Sequence, residues 1–185
     1  MAQIYGAVEF RIRDEWYDVI YISSLLLQHC DLNGCLFGVD NYAGFVPLFA
    51  NRGIPADCSE NMRQKMDVYL DDESWPSWVL YSELIRVDWD ECALSRDCRI
   101  SEYVVCADGK ENFVTKWLNK LGCDWVRQVL ETEQEARSGD RVFRRPVLRR
   151  ADAIADTEFG LLMKLMACLA DRFGADGVRL VVWFG

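Results

Sequence analysis

His29 is the sole histidine of the chain, and it stands beside Cys30, one of eight cysteines. A cysteine nucleophile needs a base within hydrogen-bond reach. Adjacent side chains diverge on either a strand or a helix, so neighbourhood in the chain does not make His29 and Cys30 a couple. His29 reads more simply as a helix-end or loop residue. A structural zinc site needs several closely spaced ligands, yet no Cys-x-x-Cys occurs, and five and seven residues separate Cys92, Cys98 and Cys106. Neither a metal nor a cofactor is expected. The Gly-x-Ser-x-Gly, Gly-x-x-x-x-Gly-Lys and Gly-x-Gly-x-x-Gly signatures of serine hydrolases, nucleoside triphosphatases and dinucleotide enzymes are absent. Paired carboxylates such as Asp71 with Asp72, or Asp88 with Asp90, are ordinarily solvated surface rather than acid–base machinery.

Charge placement is the most unusual property. Thirty acidic against 21 basic residues give a net charge of −9, which disfavours direct contact with nucleic acid and favours a basic or nucleic-acid-binding protein as partner. Residues 1–97 hold 17 acidic and 7 basic side chains, net −10, whereas residues 98–185 hold 13 and 14, net +1. Within the first half, Asp67, Asp71, Asp72, Glu73, Glu83, Asp88, Asp90 and Glu91 face only Arg86, and Trp75, Trp78 and Trp89 are interleaved with them. Carboxylates mixed with amphipathic aromatics can imitate a nucleic-acid surface and anchor a basic partner. The plainer alternative is a solvated acidic face with three tryptophans turned into the core. Arg137, Arg141, Arg144, Arg145, Arg149 and Arg150 form a basic run that pairs internally or contacts phosphate. Should it lie apart from the acidic face, head-to-tail self-association into a homodimer becomes possible.

These residues must be carried by a chain of 185 residues, 51% hydrophobic, which is enough for a full core in a single domain over residues 1–185. The opening Met-Ala-Gln-Ile-Tyr-Gly has no basic segment followed by an apolar run. The expectation is therefore a cytoplasmic protein whose thiols are reduced and mostly buried. Apolar runs such as residues 21–27 and 178–184 are too short to span a membrane.

The pattern predicts an α+β fold, with one mixed or mainly antiparallel sheet that includes the N- and C-terminal strands and about four helices against it. Ile4, Gly6, Val8, Phe10 and Ile12 alternate with Tyr5, Ala7, Glu9 and Arg11, as a strand requires. Asp14-Glu15 turns the chain, and residues 16–22 return as an antiparallel partner. Glycines and prolines from Asn33 to Pro55 predict a long irregular connection. Asp57 followed by Glu60 has capping-box spacing ahead of Met62, Met66, Tyr69 and Leu70, which predicts a helix over the sheet. Residues 74–78 read as a loop, with a short helix near 81–85. Residues 111–120 and 124–137 read as helices separated by Gly122, the Arg-rich 141–150 as a strand or extended arm, and 157–173 as the clearest helix, stopped by Gly174. The nearly all-apolar residues 178–184 suit a strand inside a sheet.

Gln3 to Arg11, Arg52 to Glu60, Ser77 to Leu84 and Gly174 to Phe184 are similar, in order, to segments of an uncharacterised family of small proteins common in bacteriophages and prophages. That family opens on Met-Gly-Cys-Asp-Ile-His, carries Arg-Gly-Leu-Pro-Asp-Asp and Ser-Trp-Leu-Thr-Leu-x-Glu-Leu segments, and ends on a Val-Arg-x-Val-x-Trp-Phe strand. Where its pattern places Asp, His and a His before Ser-Trp, this chain has Gln3, Tyr5 and Pro76, so a polar or metal site built on those residues would be missing. The resemblance implies a phage-type α+β protein that binds rather than catalyses. The leading expectation is an acidic inhibitor of a host defence component, anti-CRISPR-like and acting by nucleic-acid mimicry. The alternatives are an immunity protein neutralising a basic toxin nuclease, and a small hydrolase or transferase using His29, Asp57 or Glu60.

Overall fold

A computed structural model describes residues 2–23, 29–70, 74–155 and 157–185. In chain order the elements are β1 (Ile4–Ile12), β2 (Glu15–Tyr21), α1 (Cys30–Phe37), α2 (Glu60–Tyr69), β3 (Ser77–Leu80), α3 (Tyr81–Leu84), β4 (Ile100–Val105), β5 (Glu111–Trp117), α4 (Asp124–Thr132), β6 (Glu135–Ser138), β7 (Arg141–Arg144), α5 (Arg150–Ile154), α6 (Phe159–Phe173) and β8 (Val178–Phe184). The fold is α+β, as the pattern predicts, but the strands form two antiparallel sheets, ordered β2-β1-β8-β3 and β5-β4-β7-β6. Among the described residues no helix is long and apolar enough to cross a membrane.

The first sheet brings the chain ends together, with Ile4 opposite Phe184 and Phe10 opposite Val178. All seven residues of β8 are buried, because its two faces serve two cores. Val178, Leu180, Val182 and Phe184 join Ile4, Val8, Phe159, Leu162 and Met166 on one side, while Val181 and Trp183 meet Ala7, Met62 and Met66 on the other. Each aliphatic side chain buried this way contributes about 1.5–3 kcal/mol. Close approach of β1 to β8 requires Gly6: at φ +143° a Cβ would sit 2.0 Å from the Val181 carbonyl oxygen.

Several local expectations change. The 33–55 connection begins as the end of α1, because Leu32, Cys35 and Leu36 pack into the larger core and Gly38, at φ +80°, ends the helix. Ser59, not Asp57, caps α2 by accepting the Met62 amide at 3.3 Å. The 74–78 loop gives way at Ser77 to β3, the second neighbour of β8. Residues 111–117 form a strand rather than a helix. The four-residue spacing of Phe113 and Trp117 fits both periods, and the Asp108-Gly109 turn with β-branched Val114 and Thr115 favours a hairpin on β4. The 124–137 helix stops at Thr132, and residues 135–138 become β6. α6 and its Gly174 stop are as expected.

Candidate protein-binding site

Arg179 is the one charged residue of β8 and is 2% exposed. A guanidinium at that depth must be paired and hydrogen-bonded. Its Nε donates to Glu9 Oε2 at 2.7 Å, its Nη1 to Asp57 Oδ1 at 2.7 Å and its Nη2 to the Asp57 carbonyl at 3.1 Å. The guanidinium carbon also lies 3.8 Å from the centre of the Trp16 ring. Trp16 Nε1 donates to Asp57 Oδ2 at 2.9 Å, and the Ser59 amide donates to Glu9 Oε1 at 2.8 Å. Burial opposes the charge on Asp57, but the bonds from Arg179 and Trp16 outweigh it and hold this carboxyl below the usual range. One buried arginine thereby locks the first hairpin, the segment before α2 and the last strand into one wall.

That wall encloses a concavity of about 570 Å³. Five carboxylates line it: Asp14 and Glu15 from the hairpin turn, Asp18 from β2, and Asp57 and Glu60 from the start of α2, with Tyr17 beside them. No Lys or Arg lines it, and among the described residues Asp14, Glu15, Asp18 and Glu60 make no ion pair. Glu15 accepts from the Tyr17 hydroxyl at 2.6 Å, and Asp18 accepts from Ser59 Oγ and Asn61 Nδ2 at 3.0 Å each and from the Tyr21 hydroxyl. For Asp18, burial again works against ionisation and these donors overcome it, so its carboxyl lies low. Among the described residues no three His, Cys, Asp or Glu side chains are grouped to hold a metal ion. The chemistry available is attraction of an organic cation, such as a lysine or arginine of another protein, flanked by the 43%-exposed Tyr17.

The segment singled out by charge is distributed differently. Asp71, Asp72 and Glu73 lie outside the described residues. Asp67 is exposed on α2, against the smaller core, whereas Trp89 packs at the edge of the larger core on the opposite face of the sheet, 5.9 Å from Phe159. Asp88 and Asp90 flank Trp89 in a turn where Asp88 accepts the Asp90 amide at 3.0 Å. Glu83 is taken up by Arg52 in two bonds of 2.8 Å and caps α3 through the Leu80 amide. Glu91 holds the fully buried Arg150 at 3.0 and 3.1 Å. Of the three tryptophans only Trp75, 52% exposed, is open; Trp78 is half-buried with Arg52 5.3 Å from its ring. In the sequence Asp14-Glu15 reads as a turn and Asp57 with Glu60 as a cap, and nothing local joins the two pairs. The signals that point here are the charge surplus of the first half and the choice of Asp57 and Glu60 in the hydrolase or transferase alternative, whose His29 lines a different hollow.

Apart from Arg145, the arginine run pairs internally, though mostly outside the acidic segment: Arg137 and Arg144 with Glu135, Arg144 also with Glu111, Arg141 with Glu102, and Arg149 with Asp152. Among the described residues only Arg149, to Asp90 at 3.8 Å, and Arg150 reach back to it. His29 lies 3.3 Å from Glu158, remote from the Asp57–Glu60 concavity and on another surface hollow. All eight cysteines are free, but the expectation that most are buried fails: only Cys35 and Cys58 are, and Cys92, Cys98 and Cys168 are exposed. Burial pushes the thiols of Cys30, Cys35, Cys58 and Cys98 up, the opposite of an activated nucleophile. Compared with known proteins, the chain matches no family model, no curated protein and no solved structure.

Proposed function

We propose that the protein acts by binding, as an acidic inhibitor that occupies the nucleic-acid-binding surface of a basic protein in the cytoplasm, in the manner of a phage or mobile-element product that blocks a host defence component. The observation that carries this reading is the hairpin concavity, where Asp14, Glu15, Asp18 and Glu60 converge from three segments and make no ion pair among the described residues. Such a field speeds encounter with a basic surface, and the buried Arg179 lock beneath it keeps the carboxylates pre-positioned. Asp67 adds negative charge further along α2, Asp88 and Asp90 add it on the opposite face of the sheet, and Trp75 is an exposed aromatic outside the concavity.

The test is capture of host proteins on the full chain, followed by competition between the captured protein's nucleic acid and the inhibitor. The expected partner is a nucleic-acid-binding protein released by rising salt. Asp14→Lys, Glu15→Lys and Glu60→Lys together should abolish capture with the fold retained, and Asp88→Lys with Asp90→Lys should weaken it less. Capture that survives the triple reversal, or a partner whose nucleic acid does not compete, overturns the reading.

A further inference from the structure

Six arginines run from Arg137 to Arg150, and Arg145 alone among them meets no carboxylate among the described residues. It lines a second concavity, of about 600 Å³, on the other sheet, with Arg96, Gln134, Glu135, Arg144, Pro146 and Val147. The walls are fixed by backbone bonds: the Asp97 amide donates to the Pro146 carbonyl and the Ala93 amide to the Leu148 carbonyl, each at 2.8 Å. Gly44 lets the Arg96 segment close in, since a Cβ there, at φ +73°, would lie 2.1 Å from Ser95 Oγ.

The charges around this hollow do not cancel. Arg144 is neutralised by Glu111, at 2.6 and 2.8 Å, and by Glu135. Arg96 makes no ion pair among the described residues and reaches only the Glu133 carbonyl, at 3.5 Å. Arg145 Nε is sealed from solvent with no acceptor. A buried donor without an acceptor is destabilising and calls for an explanation. Two guanidinium groups with no carboxylate partner among the described residues, a side-chain amide and an apolar lip of Pro146 and Val147 match an oxyanion attached to an apolar body. The space exceeds what a bare phosphate fills. We propose that this hollow is an anion-binding site for a small organic phosphate, gripped by Arg96 and Arg145 with Gln134 as a further donor, its organic part resting on Pro146 and Val147.

Phenyl phosphate and inorganic phosphate, titrated into the full chain at low ionic strength, test this by calorimetry and by the Arg145 Nε–H resonance. Phenyl phosphate should bind saturably and more tightly than inorganic phosphate, and should shift that resonance. Arg96→Gln with Arg145→Gln should weaken binding roughly tenfold or more, the scale of a lost charge-assisted hydrogen bond. Arg145→Lys should lose part of it, and Arg63→Gln, on α2 and outside the hollow, nothing. No saturable binding, an unmoved Arg145 resonance, or undiminished affinity in the double variant overturns the proposal. So does a Glu- and Asp-rich peptide that binds where phenyl phosphate does not, which would make the hollow a protein contact.

Discussion

In the first sheet the one buried cation, Arg179, is enclosed by Glu9 and Asp57, and the charge left in the neighbouring concavity is negative, on Asp14, Glu15, Asp18 and Glu60. In the second sheet the carboxylates are consumed by Arg137, Arg141 and Arg144, and what remains around its concavity is positive, on Arg96 and Arg145. The two sheets also differ in what backs their charges. The first has a core on each face, so its salt bridge is buried and shapes the wall. The second has a single cluster around Ile100, Val126, Leu130, Ala136 and Phe143, leaving Phe113 and Val114 about half exposed, and most of its ion pairs reach solvent. Net charge alone therefore does not locate a binding face; what matters is which charges remain after internal pairing.

The contrast breaks most severely at Arg179. Arg179→Leu leaves Glu9, fully buried, without its cation and Asp57 without its principal donor. Removing one partner of a buried pair costs about 3–5 kcal/mol, and urea unfolding should register a loss on that scale. A loss below about 1 kcal/mol would mean that this pair is no more structural than a surface one.

The sequence announced β1, β2 and β8 because alternation and a wholly apolar run are local signals, and α6 because its stripe and Gly174 agree. It did not announce the second sheet. The stretch around Phe113 and Trp117 satisfies helix and strand periods alike, and β6 and β7 are four residues each, too short to establish a period. The candidate site was half legible. The acidity of the first half was plain, but which carboxylates Arg52, Arg150 and Arg179 would neutralise depends on contacts up to 170 residues apart in the chain. Glu83 and Glu91 thus belong by charge pattern to the expected partner-binding segment, although each is held by an arginine. Asp14 has a turn role that explains it locally, and Glu60, a candidate only for catalysis, has a cap role, so neither points to a shared acidic concavity.

Glu102 is the buried carboxylate of the second sheet. It is fully buried in β4, yet Lys120, at 2.6 Å, and Arg141 reach it from a solvent-exposed rim. Glu102→Gln frees two cations into water rather than stranding them, so its cost should be nearer 1–2 kcal/mol than that of Arg179→Leu. The pH dependence follows from direction. Burial raises the Glu102 carboxyl, but the bonds from Lys120 and Arg141 prevail and hold it low; Asp31 is likewise held low by Lys116 and Arg99 against its burial. A carboxylate depressed in the folded state contributes fully above its unfolded pKa of about 4 and loses that contribution as pH falls through the folded value. Stability should thus be flat near neutrality and decline below about pH 4, with a shallower decline in Glu102→Gln. Parallel acid profiles for the two proteins would remove Glu102 from the balance.

The smallest expected effect is at Glu83, where the charge pattern and the contacts disagree most directly. Its carboxylate is held low first by the hydrogen bonds from Arg52 and also by the Leu80 amide, with burial opposing. Both of its functions are therefore internal: it anchors Arg52, whose guanidinium lies 4.9 Å from the Phe49 ring and 5.3 Å from that of Trp78, and it caps a one-turn helix. Glu83→Gln keeps the cap acceptor and loses the charge, which should cost about 1 kcal/mol in denaturant unfolding. Partner capture should be unchanged. If capture falls as far as it does on reversing Asp14, Glu15 and Glu60, the binding surface runs through the 67–91 segment after all, and the distinction between internally paired and free carboxylates no longer locates it.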